Sequence, residues 1–163
     1  MSEPQEAIVF VEIPMGSRNK YEWSDELGGV VLDRRLFTSM TYPADYGFVE
    51  GTLGEDGDPL DALVLVAEPT FPGCRIRVRP IGVFHMSDEK GPDEKVLCVP
   101  VGDPSFERVT DIFDVISEVR DEIEHFFQRY KDLEPSKRTD TRGWGNRAEA
   151  AEILDAARLR ATV

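Results

Sequence analysis

Asp56-Gly57-Asp58-Pro59-Leu60-Asp61 puts three carboxylates into six residues, stiffened by one proline and loosened by one glycine. Acids this close repel one another unless a cation sits among them. A second knot, Asp88-Glu89-Lys90-Gly91-Pro92-Asp93-Glu94-Lys95, repeats the theme about thirty residues later. Oxygen-only donors on short loops suit a hard divalent cation such as Mg²⁺ or Mn²⁺ better than zinc. Either cluster alone reads as a solvated acidic turn; two in one small chain, each beside a strand, point to metal-dependent phosphate chemistry. An EF-hand does not fit, because proline falls inside the motif and no glutamate closes a helix–loop–helix frame. Glu12 adds to the case. A carboxylate inside the apolar run 8–13 is costly unless it is paired, faces a metal or turns outward from an edge strand.

The elements that must position these groups change period along the chain. Up to about residue 101, short apolar runs alternate with turn residues. Residues 7–13 form one run, 21–23 and 30–32 flank a turn at Leu27-Gly28-Gly29, and 63–67 suit a buried strand. Arg75-Ile76-Arg77-Val78-Arg79 alternates strictly, 81–86 continues after Pro80, and 95–101 is the last clear strand. Helical spacing then takes over at Ile116, Val119, Ile123, Phe126, Phe127 and Tyr130, with Asp114 or Ser117 as N-cap. A closing helix starts at Asn146, whose side chain can cap while Glu149 reaches back. Short strands followed by two helices predict an α+β, mainly β fold, a small barrel with helices outside or a sandwich sharing that pattern. At 163 residues the chain reads as a single domain, 1–163, with the barrel over about 7–101 and helices over about 115–131 and 147–161.

Composition narrows the partners. Lys plus Arg number 19 against 32 Asp plus Glu, a net charge of −13 that repels nucleic acid and anionic membranes. The first seven residues carry neither a positive region nor an apolar stretch, so no secretory signal is expected, and no segment is apolar enough for a membrane span. Cys74 and Cys98, without a Cys-x-x-Cys, read as free thiols of a reducing cytoplasm. Against the acids stand Lys20, Arg34, Tyr42, Tyr46, Lys95, Tyr130 and Lys131. Taken singly, each is an ordinary surface cation or core tyrosine; together they can meet phosphate oxygens, arginine as a planar fork and lysine as a point charge. There is no Gly-x-x-x-x-Gly-Lys-Ser/Thr or Gly-x-Gly-x-x-Gly loop, so nucleotide cradles lack support. A nucleotide pyrophosphohydrolase, a phosphomonoesterase and a non-catalytic OB-type binding module are the rival readings.

In order and spacing, residues 8–135 resemble the soluble family I inorganic pyrophosphatases. The likeness is carried by Glu12-Ile13-Pro14, Lys20-Tyr21-Glu22, Asp33-Arg34, Tyr42-Pro43-Ala44-Asp45-Tyr46-Gly47-Phe48, Asp56 to Asp61, Arg79 to Val83, Met86 to Glu89, Asp93-Glu94-Lys95, His125-Phe126-Phe127 and Tyr130 to Glu134. The chain departs from the family pattern at Arg138, where an aromatic is usual.

The resemblance implies a five-stranded OB-like barrel with flanking C-terminal helices, and Mg²⁺-dependent hydrolysis of pyrophosphate to two orthophosphates. It implies that Asp56, Asp61 and Asp93 hold a first metal, with Asp61 bridging to a second. Asp88 and Asp93 would take a metal arriving with substrate, and Glu12, with Glu22, a further one. Lys20, Arg34, Tyr46, Lys95, Tyr130 and Lys131 would contact phosphate oxygens. Asp58 would be the base acting on the attacking water, with Asp93 the second candidate. The substrate would be a metal–pyrophosphate complex, and the assembly a homohexamer.

Overall fold

A computed structural model describes residues 5–163. The reading of the N-terminal segment as free of a secretory signal therefore lies partly outside the described residues, as does the domain boundary at residue 1.

Strands β1 (Ala7–Ile13), β2 (Asn19–Ser24), β3 (Gly29–Arg35), β4 (Asp45–Val49), β5 (Asp61–Val64), β6 (Arg75–Asp88), β7 (Gly91–Pro92) and β8 (Lys95–Pro100) come first. Helix α1 (Ser117–Arg129), strand β9 (Thr139–Gly145) and helix α2 (Arg147–Ala161) follow. The order β1-β4-β5-β8-β6 returns to β1 through a β1–β6 pairing, so five strands close on themselves. Closure removes the free edges on which strands aggregate. The hairpin β2–β3 forms a separate two-stranded sheet, and β9 pairs with β6. This is the OB-like barrel with two flanking helices that the resemblance implied.

Only residue-level physics separates the expected strands from the observed ones. β4 is interrupted in the sequence by Gly47, yet it pairs Val11 with Gly47 because the two backbones approach too closely for a side chain. A Cβ at Gly47 would lie 1.8 Å from the Phe10 carbonyl oxygen. Gly47→Ala must therefore push β1 from β4, and a loss of ~1–3 kcal/mol is expected in chemical denaturation; an unchanged midpoint would show that the strands yield freely. β6 runs straight through Pro80, which lacks an N–H but sits where the β6–β8 register shifts. β5 starts at Asp61, two residues before the apolar run suggested, and β9 was not expected from the sequence at all.

Two helix details correct the sequence reading. α1 has Ile116 at its N-cap with no side-chain bond; Asp114 instead closes a capping box with Asp111 in the preceding 3₁₀ turn, and Ser117 is already helical. Asn146 does cap α2, accepting from the Glu149 N–H (3.0 Å), but the Glu149 carboxylate turns to His85 Nε2 (2.9 Å). Phe126, Phe127 and Tyr130 pack with Tyr42, Ile81, Phe84 and Leu97, while Leu154 and Ala157 of α2 cover Val64, Val83, Val96 and Cys98. Phe127 is thus core, whereas His125 is exposed. Both cysteines are free.

Candidate active site

β5 and β8 form a parallel pair in which Asp61 lies opposite Lys95, so the two acid-rich segments that precede these strands emerge at one end of the barrel. Lys95 is 1% exposed and spends its three donors on Tyr46 Oη (2.8 Å), Asp61 Oδ2 (3.1 Å) and Asp93 Oδ2 (3.1 Å). Its ammonium also lies over the rings of Tyr46 and Phe127, at 5.0 and 5.2 Å. Burial alone would lower the lysine's pKa, but Asp61 and Asp93 raise it instead. The two carboxyls move in opposite directions. Burial lifts Asp61 above the carboxylate range, with Lys95 opposing and Asp93 adding to the rise. Burial would also raise Asp93, but Lys95 and a hydrogen bond from Asp61 hold it below its ordinary value.

Glu12 reaches this end of the barrel through a bulge. Val11 pairs with Gly47 and Ile13 with Tyr46, leaving Glu12 as the extra residue, a device that re-aims a side chain. β1 pairs with β6 only over Ala7–Phe10, so at Glu12 it is laddered with β4 alone, and the carboxylate turns into a cleft that it lines with Lys20, Glu22 and Tyr46. The carboxylate accepts from the Trp23 N–H (2.8 Å). Burial raises its pKa, the Trp23 bond and Lys20 oppose, and Glu22 and Asp58 add to the rise. On the hairpin, Lys20 and Glu22 share a face as the alternation suggested, with Lys20 Nζ 3.5 Å from Glu22 and 3.1 Å from Asp33. Glu12, Lys20, Glu22, Tyr46, Asp58 and Asp61 line one cleft of ≈ 540 Å³, within the ~300–1,000 Å³ usual for small-molecule sites.

Asp61 also lines a second cavity, on the far side of its loop, with Asp56 and Asp93. The Asp56 carboxylate accepts from the Asp58 N–H (3.0 Å), while the exposed Asp58 carboxylate itself makes no hydrogen bond among the described residues. Lys131 sits 3.7 Å from Asp88 and 3.8 Å from Glu89, and Lys137 lies 3.6 Å from Glu89. Tyr130 is buried, and burial raises its hydroxyl further than the nearby Lys95 can lower it. Arg34 forks onto Glu134, at 2.5 and 3.2 Å, and pairs with Asp33. Among the described residues no three acidic, His or Cys side chains converge tightly enough to grip an ion as they stand. Lys95 occupies the space between Asp61 and Asp93. The donor set is nonetheless all carboxylate at one barrel end, which fits a hard divalent cation.

A sequence model of the family described as inorganic pyrophosphatase matches residues 9–162. The chain belongs to the inorganic pyrophosphatase family. It is 62% identical over 146 residues to the inorganic pyrophosphatase of Streptomyces coelicolor, covering 89% of this chain and 90% of that protein. It is 49% identical to that of Sulfolobus acidocaldarius, covering 94% and 90%. The crystal structure of the Thermus thermophilus inorganic pyrophosphatase superposes with a TM-score of 0.96 at 43% identity, over 100% of this chain and 95% of that one. As a member of this pyrophosphatase family the chain is a hydrolase of inorganic pyrophosphate, a reaction that depends on divalent metal across the family.

Two contacts around this cleft were not read from the sequence, although Glu134 lies in a segment that carries the family likeness. Glu134 meets Arg34 across one hundred residues. Thr52 accepts from the Leu60 N–H (3.0 Å) and donates to the Val49 carbonyl (2.6 Å), closing the base of the acid loop. A lone threonine outside any motif gives no hint of this.

Proposed function

We propose that this chain, as one domain, hydrolyses Mg²⁺–pyrophosphate to two orthophosphates, with Mn²⁺ a substitute metal. The observation that carries the reading is Asp61, which borders both the cleft holding Asp58 and the cavity holding Asp56 and Asp93. Asp56, Asp61 and Asp93 would hold a first cation, Asp61 bridging to a second. Asp88 with Asp93, and Glu12 with Glu22, would hold the others. Bound there, divalent cations neutralise the charge that keeps carboxylates and pyrophosphate apart and make water more acidic.

The chain's own residues do the rest. Asp58 accepts the proton of the attacking water; its unengaged carboxylate favours it over Asp93, which Lys95 and Asp61 already occupy. Lys20, Arg34 and Lys131 reach phosphate oxygens from the walls. Tyr46, Lys95 and Tyr130 form the buried floor, where fixed positive charge stabilises the leaving phosphate most. Exposed Phe113 and Ile116 favour a self-associating assembly, and the hexamer can be checked by light scattering. Free thiols favour a cytoplasmic location, and no helix among the described residues is long and apolar enough to cross a membrane.

Orthophosphate release from pyrophosphate with Mg²⁺, abolished by chelator, is the direct test. Release from ATP or a phosphomonoester at equal rates would favour a broader phosphohydrolase. Asp61→Asn is expected to weaken Mg²⁺ binding more than Asp58→Asn does. The reverse order in a calorimetric titration would remove Asp61 from the bridging position.

A further inference from the structure

The loop that carries Asp56, Asp58 and Asp61 hangs from the C-terminal helix at one residue, Leu53. The Leu53 N–H donates to the Ala157 carbonyl (3.0 Å), and Arg160 Nη1 donates to the Leu53 carbonyl (2.7 Å). Both backbone groups of Leu53 are therefore held by α2. Immediately after, the Gly54 N–H donates to the Asp58 carbonyl (2.6 Å), so the loop closes on the residue that α2 has just fixed. Ile153, Ala156 and Arg160 then wall the cavity that Asp56, Asp61 and Asp93 also line.

Arg160 has two partners of unequal weight. Its contact with Glu55 is 3.8 Å long between side chains 37% and 69% exposed, and such pairs contribute little. The bond to Leu53 joins a cation to a backbone carbonyl at the base of an acid-rich loop, a charge-assisted bond of the stronger kind. A cation in the last turn of α2 is also favoured by the helix dipole.

We infer that Arg160 is a positioning residue for the acid loop, setting the divalent-cation affinity of Asp56 and Asp61 through the backbone of Leu53. This rests on the functional reading above, and makes the C-terminal helix part of what tunes the metal site. Groups hydrogen-bonded directly to metal ligands change metal affinity by about 10–100-fold when lost, and Arg160, acting one step further back through the Leu53 backbone, belongs at the lower end.

Calorimetric titration of Mg²⁺ alone into the full-length protein tests it. Arg160→Ala is expected to bind Mg²⁺ about tenfold more weakly. The Mg²⁺ concentration for half-maximal rate should rise by the same factor, while kcat largely recovers at saturating Mg²⁺. Arg160→Lys, which retains a donor for the Leu53 carbonyl, should regain most of the affinity, and Glu55→Gln should titrate like the parent. Arg160→Met keeps the apolar stem and its packing, and serves with the same expected loss where Arg160→Ala does not fold. Parent-like Mg²⁺ affinity in the alanine or methionine variant overturns the inference, as does a Glu55→Gln variant that reproduces the loss. A parent protein that neither binds Mg²⁺ nor releases phosphate would overturn the functional reading, and this inference with it.

Discussion

Asp58→Asn should fold normally and lose ~10²-fold or more in kcat, the scale for removing a positioned general base. The substitution is nearly isosteric, and the side chain it alters is exposed, so no packing is lost. Its neighbours make the effect specific. The Asp58 N–H bond to Asp56 is a backbone interaction that asparagine retains, so the loop geometry persists. Steady-state rates at saturating Mg²⁺ and pyrophosphate, with circular dichroism to confirm folding, decide the matter. Turnover within threefold of the parent would exclude Asp58 as the proton acceptor and return the role to Asp93.

Lys95→Met is expected to cost ~3–5 kcal/mol of stability without metal, because it strips the cation from two half-buried carboxylates. Methionine matches the stem in length, so the loss is electrostatic rather than a cavity effect. Urea unfolding at neutral pH measures it. Added Mg²⁺ should narrow the gap between variant and parent, since a second source of positive charge then meets Asp61 and Asp93. A loss below ~1 kcal/mol, the size of an exposed ion pair, would mean that Lys95 is not what holds the acids together.

The acid motifs were legible in the sequence because their chemistry is local: Asp56 to Asp61 and Asp88 to Lys95 each span a few residues. Apolar runs, turn residues and helical spacing likewise led to β1, the β2–β3 hairpin and both helices within a few residues of their observed bounds. What escaped was set by tertiary contact. β9 reads as a polar loop, Thr-Asp-Thr-Arg-Gly-Trp-Gly, and becomes a strand only because β6 offers a partner. β4 was hidden by a glycine that only the Phe10 backbone explains. Of the site, the residue types were legible; that they would divide between two cavities meeting at Asp61, that Lys95 would fill the space between Asp61 and Asp93, or that Glu134 would engage Arg34, was not.

Because β5 and β8 run in the same direction, the connection between β5 and β6 turns at the end of the barrel remote from the acids. Ala67 and Glu68, both exposed, lie in that turn. A flexible peptide spliced between them would cost mainly closure entropy, about 0.6 kcal/mol per doubling of loop length. An affinity tag or surface tether grafted there would leave catalysis undisturbed, making this turn the natural handle for immobilising the enzyme.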